Sequence, residues 1–555
     1  MENDKMKVWR FNVAGVLLIV AMLLLLSLAS ITNSGLAAGE TIEQWIWFDK
    51  MAVVAAGIAL LIPFVLRQKK YLYDSAYCLS VALMIWGGAE AVWGICQLYG
   101  FAVSGHSRYA LTGSFFNPGP YAGYLVMVLP VCLCRTMELW YPWRYMPEKI
   151  LRIEKCIAIG AGICILCVLP ATMSRSAWLA AGISCVCVVA MENGWGRIWL
   201  GMWKWKRKRA VMTVIGSVAT LMLVFFLMFM IKQDSAKGRL FMWKIACRAV
   251  VEKPWSGHGE GSFAAAFGVA QEKYFAGEEY SQWEEHVAGS PKYAFNEYLK
   301  VMIEYGIPVT ILVLLVIGFC LYSGIRQERY GVCAAIISLL VFSFSSYPLQ
   351  LPVFLVTLVG LLLVCVMNNR WTTLVMMAVV IAAYGICRLP DDRKMLDACR
   401  EEVNVRMLYR AGAYEAALEG YERLYPLLKE KDSFMFEYGH CLHKLERYED
   451  SNRIMEEAMK VSNDPMILNI IGKNYQQMGN YRAAENRFIR AICRLPGRIY
   501  PYYLLAKLYA EPDFCQPDKF EEMKRIVWTK TPKVMSTAIR EMREELEKID
   551  IRIQK

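Results

Sequence analysis

The turn Ser174-Arg175-Ser176-Ala177-Trp178 sets one arginine between two apolar runs that are long enough to cross a membrane. A charged side chain at a membrane boundary is costly unless it reaches water or is paired. On the outer side it also works against the usual bias of basic residues toward the cytoplasm. A guanidinium can grip a phosphate through two hydrogen bonds. We therefore predict that Arg175 binds an anionic group, with Ser174 in a supporting role.

A second polar segment, Thr112–Gly123, leads into another apolar run and is rich in Gly and Pro. This composition predicts either a loop that re-enters the membrane or a tight helix entry. In both cases Asn117 is a polar group near the membrane face, and we expect it to support the site.

The longest polar segment, residues 232–297, carries glycines at positions 257, 259 and 261 and two of the five histidines, His258 and His286. Alternate glycines allow a backbone to approach a ligand closely, but the strand and lysine of a nucleotide-binding loop are missing. No pair of histidines has metal-ligand spacing with a third ligand, so we predict no metal.

These segments interrupt a chain whose composition is that of a membrane protein. Of its 555 residues 56% are apolar and only 20% are charged. The net charge of +12 divides into +11 for residues 1–390 and +1 for residues 391–555. The basic excess therefore belongs to membrane-flanking loops, and we expect no nucleic-acid partner.

Eleven apolar runs approach the length needed to span a bilayer: residues 11–33, 50–66, 75–100, 118–134, 156–170, 177–192, 210–231, 298–322, 331–347, 352–367 and 371–387.

Basic residues alternate between the loops in a way that predicts their sides. Loops on the side of the N-terminus hold 20 Lys and Arg, against three in the short loops of the other side. Cytoplasmic loops carry such an excess, so we predict a cytoplasmic N-terminus and an outer loop at residues 232–297. Eleven spans also leave the tail outside, although Arg388, Arg393 and Lys394 favour the opposite side.

The tail, residues 391–555, shows a repeat. Tyr414, Tyr448 and Tyr481 follow one another at intervals of 34 and 33 residues, which is the period of a tetratricopeptide helix pair. We predict an all-α protein, with a polytopic bundle at residues 1–390 and an α-solenoid of tetratricopeptide-like helix pairs after it. Such an array either binds a protein partner or packs on its own membrane part.

Taken in order, the polar motifs resemble the O-antigen ligase/polymerase superfamily. They are the span entry from Gly113 to Pro130, the Ser-Arg-Ser-Ala-Trp turn, Arg239-x-x-x-Trp243, Pro254-x-x-Gly-x-Gly-x-Gly-x-Phe263, and Asn296-Glu-Tyr-Leu before the next span. The late turn Ser345–Pro348 resembles the branch that carries a tetratricopeptide tail.

The resemblance implies a bacterial inner-membrane enzyme of cell-envelope polysaccharide biosynthesis, such as that of lipopolysaccharide. It would transfer a glycan from an undecaprenyl-diphosphate carrier to an acceptor hydroxyl, on a glycan or lipid-glycan, without metal or cofactor. By match to the motifs, Arg175 and Arg239 would clamp the diphosphate, and Asn296 would support the site.

The chain departs from the family at the catalytic base. The family has a histidine just before the Asn of the span entry, whereas this chain has Tyr293-Ala-Phe-Asn296. His286, then Glu297, then His258 are the local groups able to take a proton from a sugar hydroxyl.

Three other functions stay open from the sequence. A polymerase of the same superfamily shares all these residues. A transporter of lipid-linked sugars and a membrane-anchored scaffold that presents the tail to proteins are alternatives of another class.

Overall fold

In the computed structural model, described residues are 2–31, 41–66, 75–137, 148–196, 233–277, 280–367 and 371–549, with a few between 203 and 216. Within these ranges the chain is helical and forms no β-strand. Among the described residues, the α-helices that begin before residue 391 are α1 Glu2–Leu26, α2 Ile42–Leu66, α3 Ser75–Leu98, α4 Pro118–Thr136, α5 Glu148–Val168, α6 Arg175–Glu192, α7 Gln233–Glu252, α8 Phe263–Gly277, α9 Gln282–Val287, α10 Glu297–Arg326, α11 Tyr330–Ser343, α12 Pro352–Val366 and α13 Trp371–Arg410. The tail contains α14 Tyr414–Leu428, α15 Asp432–Lys444, α16 Tyr448–Ala458, α17 Pro465–Gln477, α18 Tyr481–Arg494, α19 Tyr500–Tyr509, α20 Pro517–Thr529 and α21 Thr537–Lys548.

Six helices in the described ranges are long and apolar enough to cross a membrane, and they confirm a multi-pass chain. They are Val13–Ser30, Ile42–Val65, Ser75–Leu98, Leu151–Thr172, Arg175–Glu192 and Glu297–Arg326. Four further predicted spans coincide with α4, α11, α12 and the first part of α13. The predicted span at residues 210–231 lies almost entirely outside the described residues.

The chain divides into two compact units. The first contains residues 1–231, 295–297 and 311–396. Its core is built around α4 and α11, which pack closely because glycine leaves room for a neighbouring ring: a Cβ at Gly123 would lie 2.3 Å from the Phe342 ring. The Ser338 hydroxyl donates to the carbonyl of Val126 at 2.7 Å across the same contact.

The second unit contains residues 232–294, 298–310 and 397–555. It therefore joins the long polar segment to the tail, whereas the sequence grouped that segment with the membrane part. The reason is direct packing of α8 on α18, described below. The predicted boundary at residue 390 falls inside the continuous helix α13.

The tail folds as consecutive helices, each packed on the next. The three repeat tyrosines are the first residues of α14, α16 and α18. Two residues before each tyrosine the backbone takes a positive φ: 80° at Gly412, 61° at Glu446 and 75° at Gly479. The sequence repeat is thus a repeated turn that starts every second helix.

Candidate functional site

Arg175 opens α6 directly after a tight turn of the first unit. A 3-10 turn, Leu169–Thr172, is followed by Met173 with φ 51° and by Ser174 as the N-cap. The indole N–H of Trp178 donates to the carbonyl of Leu169 at 3.1 Å and closes the turn. Arg175 is half-buried. The predicted Ser-Arg-Ser-Ala-Trp motif is thus the N-cap and first turn of α6, held to the preceding 3-10 turn by Trp178.

Asn117 is the N-cap of α4, and its side-chain oxygen accepts a hydrogen bond from Gly119 N at 2.9 Å. The segment ends in a capped helix start, and its re-entry into the membrane stays a prediction. A side-chain oxygen at an N-cap satisfies an N–H that has no partner in the helix.

Two side chains of α3 hold the residues before that entry. The Gln97 amide oxygen accepts from Thr112 N at 2.9 Å and from Gly113 N at 2.8 Å. The Glu90 carboxylate accepts from Ser114 N at 3.1 Å. Gly113 has φ 57°, and a Cβ there would meet the Tyr121 ring at 2.3 Å. Sequence reasoning missed the role of Gln97, whereas Glu90 is detectable as a charge within an apolar span.

Glu297 begins α10 and binds the two residues that directly follow the predicted late turn Ser345–Pro348. One carboxylate oxygen accepts from Leu349 N and the other from the Gln350 side chain, both at 2.8 Å. Glu297 is 4% exposed and Asn296 5%. The first unit thus brings together two predicted motifs, the Asn-Glu span entry and the turn that ends at Pro348.

The glycine-rich segment of the long loop is attached to a break in α10. Gly306 has φ 84° and ψ 170°, which interrupts the helix and leaves backbone groups without helical partners. Three hydrogen bonds satisfy them: His258 N to Ile303 O at 2.7 Å, Gly259 N to Glu304 O at 3.0 Å, and Ile307 N to Pro254 O at 2.8 Å.

The glycines at this contact differ in what an added Cβ would meet. A Cβ at Gly257 would lie 2.4 Å from the carbonyl oxygen of Glu304, and one at Gly306 would lie 2.4 Å from that of Trp255. Gly259 and Gly261 also have positive φ but face open space. The close backbone approach that the sequence predicted is therefore made by Gly257, to the protein's own helix.

The two histidines of the long loop lie in different environments of the second unit. A ring nitrogen of His258 lies 2.9 Å from the carbonyl oxygen of Ala249, so the ring is hydrogen-bonded to the last turn of α7. His286 is exposed in the last turn of the short helix α9.

Arg239 lies on α7, half-buried, in the same unit. One turn further along, Lys244 donates to the Tyr274 hydroxyl at 2.8 Å and to Glu284 at 2.7 Å. Burial raises the pKa of Glu284, but hydrogen bonds from Lys244, Ser281 and Tyr274 outweigh it and lower that pKa to about 2. This ion pair was not predicted, because its partners lie 40 residues apart.

The tail holds the long loop through a mostly buried ion pair. Glu272 of α8 accepts from Arg490 at 2.6 Å and from Arg494 at 2.7 Å, and Arg494 is 3% exposed. The Gln271 amide donates to the carbonyl of Arg494 at 2.6 Å. Asn463 donates to the carbonyl of Pro291 at 2.9 Å. Of the two predicted roles of the tail, the structure therefore contains packing on its own chain.

The predicted site residues fall into two sets. Asn117, Ser174, Arg175, Asn296 and Glu297 belong to the first unit, and Arg239, His258 and His286 belong to the second. In the described part of the chain, no three His, Cys, Asp or Glu side chains are grouped as a metal site.

Comparison with known protein families gives one match. A family model described as O-antigen ligase matches residues 160–314. The matched range contains Arg175, Arg239, the glycine-rich segment and Glu297. No curated protein matches the chain. The family match supports the predicted O-antigen ligase superfamily, while the tetratricopeptide resemblance of the tail stays a prediction.

Proposed function

We propose that this chain is an O-antigen ligase-like enzyme that transfers a glycan from an undecaprenyl-diphosphate carrier to an acceptor hydroxyl at the outer face of the plasma membrane. The supporting observation is the O-antigen ligase match over residues 160–314 in a chain with several membrane-spanning helices. The match includes both arginines proposed to bind the diphosphate.

The chemistry requires two kinds of group. The acceptor oxygen forms a bond to the anomeric carbon, and the bond from that carbon to the diphosphate oxygen breaks. The electron pair leaves with the diphosphate, whose growing negative charge needs cations. Arg175 and Arg239 would supply them, each through a planar set of N–H donors.

The proton of the acceptor hydroxyl needs a base, and we propose His286. Among the three candidates it is the exposed one. The ring of His258 is bound to a backbone carbonyl, and both oxygens of Glu297 already accept hydrogen bonds. We therefore propose that Glu297 and Asn296 position the span entry, with Asn117 and Ser174 shaping the two neighbouring helix starts.

The shared second unit bears on the side of the tail. Residues 232–294 and 397–555 pack into one compact body, which supports a position on the same side of the membrane. The charge bias of the loops predicts that side to be the outer one. We propose that the tail is extracytoplasmic and supports the loop that carries Arg239 and His286.

The experiment is glycan profiling of membranes from cells that express Arg175→Ala, Arg239→Ala or the control Arg108→Ala. Arg108 is an exposed arginine predicted on the same side as Arg175. We expect both site variants to lose polymer attachment, with lipid-linked intermediates accumulating, and the control to be normal. Products that carry single repeats would point to a polymerase instead. Unchanged profiles in both site variants would refute an enzymatic role.

A further inference from the structure

One surface of the tail brings two lysines and two histidines together, and the lysines carry its positive charge. His440, His443 and Lys444 lie on α15, and Lys473 lies on the neighbouring α17. Burial, together with the charges of His443, Lys444 and Lys473, lowers the pKa of His440 to about 4. Burial and the charge of Lys507 on α19 also lower the pKa of Lys473. The charges acting on both groups are positive.

Several other cations of the tail are paired. Arg406 binds Glu402 and Glu437, and Lys519 binds Glu485. Among the described residues Lys473 has no carboxylate within ion-pair distance, and the hydroxyl of Tyr500 at 3.4 Å is its hydrogen-bond partner. The tail holds 29 basic and 28 acidic residues, so this cluster is a local excess within a balanced domain. A group of like charges is repulsive unless an anion offsets it.

Aromatic rings lie among these cations. Phe436 stacks on His440 with ring centroids 6.1 Å apart and an interplanar angle of 4°. His440 stacks on His443 at 5.8 Å. Tyr500 stacks on Tyr503 of the same helix at 6.2 Å. The rings of Phe436, His440, His443 and Tyr500 are half-buried, so they form flat surfaces beside the ammonium groups.

This surface is separate from the contact between the tail and the long loop. That contact uses Arg490 and Arg494 of α18 and Asn463 in the turn before α17. None of the residues of the basic and aromatic cluster takes part in it. The cluster therefore stays available to a ligand while the tail holds the loop.

We propose that the basic-aromatic surface, formed by Phe436, His440, His443, Lys444, Lys473 and Tyr500, binds an acidic glycan. Lys473 and Lys444 would bind carboxylates of the sugar residues, and the flat rings would contact the apolar faces of the sugar rings. An acidic peptide is the other anionic polymer that suits the charge. The choice of a glycan over a peptide rests on the proposed function, which brings glycan chains to the side of the membrane proposed for the tail.

The test is calorimetric titration of the purified full chain with the hexamer of galacturonic acid. The controls are maltohexaose, a neutral sugar of equal length, and hexaglutamate, an acidic peptide. We expect the galacturonate hexamer to bind and the other two to bind at least tenfold more weakly. Absence of galacturonate binding overturns the proposal, and equal binding of hexaglutamate reassigns the surface to acidic peptides.

Variants connect the binding to the surface. We expect Lys473→Gln and Lys444→Gln each to weaken binding about tenfold, which corresponds to about 1.4 kcal/mol. The matched control is Lys460→Gln, because Lys460 is an exposed lysine beyond the end of α16. Unchanged melting temperatures show that the variants fold. Equal loss in all three variants, or no loss in Lys473→Gln, contradicts the proposal.

The proposal and the proposed function fail in different experiments. Arg175→Ala is expected to bind the galacturonate hexamer normally, since Arg175 lies outside the tail. Binding that persists while the arginine variants leave glycan profiles unchanged would keep the surface and reject the enzyme. Loss of activity in the arginine variants without galacturonate binding would keep the enzyme and reject the surface.

Discussion

At the scale of single residues, Glu297 has a role that its position beside Asn296 does not reveal. Both of its oxygens accept hydrogen bonds from the turn at Leu349 and Gln350, and its side chain is almost fully buried. A base must come within hydrogen-bond distance of the hydroxyl that it deprotonates, and this side chain is only 4% exposed. The carboxylate is therefore better suited to fixing the start of α10 than to proton transfer.

A pair of substitutions separates the base from this positioning residue. We expect His286→Ala to lower the transfer rate about 100-fold or more, since general bases contribute factors of this size. Glu297→Gln keeps an oxygen for Leu349 N, so we expect transfer within about tenfold of the original rate and the same pH profile. The measurement is the rate across pH, with melting temperature as a check on folding. The opposite order of effects would make Glu297 the base.

At the scale of elements, the break in α10 and the glycine-rich loop form one structural device. The loop supplies hydrogen bonds to backbone groups that the break at Gly306 frees, and Gly257 permits the approach. A helix interrupted without such partners would leave buried polar groups unsatisfied. The device fixes the segment that joins α7 to α8.

Two alanine substitutions test this device. Gly257 and Gly261 have nearly equal φ, 67° and 70°, but a Cβ meets the backbone of Glu304 only at the first. We expect Gly261→Ala to cost about 1–2 kcal/mol from its positive φ alone. Gly257→Ala adds a backbone clash of about 1–3 kcal/mol. Equal melting temperatures for the two variants would show that the close approach of Gly257 to Glu304 does not affect stability.

Whether an element can be predicted from the sequence depends on the kind of signal that specifies it. Apolar runs specify the spans, and the tyrosine repeat specifies the starts of α14, α16 and α18, because both signals are local. The bonds of Glu272 to Arg490 and Arg494 join residues more than 200 positions apart, and one sequence carries no trace of them. Glu297 with Gln350, and Lys244 with Glu284, were missed for the same reason.

The ion pair between α8 and α18 is expected to hold the loop on the tail. Glu272→Ala leaves the buried Arg494 without its carboxylate, which costs about 3–5 kcal/mol for a buried pair. The control is Glu456→Ala, because its pair with Arg487 is on the surface and is worth about 1 kcal/mol or less. Trypsin cleavage at Lys273 and Lys292 should accelerate in the first variant. Similar cleavage in both variants would mean that other contacts hold the loop.

At the scale of the whole molecule, the second unit groups the tail with the loop that carries Arg239 and His286. The long loop and the tail share one compact body, which supports the proposal that both lie on the same side of the membrane. The charge bias, which predicts an outer loop, then predicts an outer tail. The basic residues after the last span are the exception to that bias.

A reporter fusion tests the linked sides. We expect alkaline phosphatase fused after residue 555 to be active, because it folds only outside the cytoplasm. A fluorescent protein that matures only in the cytoplasm should be dark at the same place. The reverse pattern would put the tail inside and, with it, the loop that carries Arg239 and His286.

The central claim is that Arg175 and Arg239 stabilise a diphosphate leaving group. The most direct test mixes purified protein with vesicles that contain the polyprenyl-diphosphate-linked glycan and acceptor, and measures the release of polyprenyl diphosphate. Loss of one cation that stabilises developing charge costs about 100- to 1,000-fold in rate. We predict losses of this size for Arg175→Ala and Arg239→Ala and a normal rate for Arg108→Ala. Release at the original rate in both site variants would contradict the account.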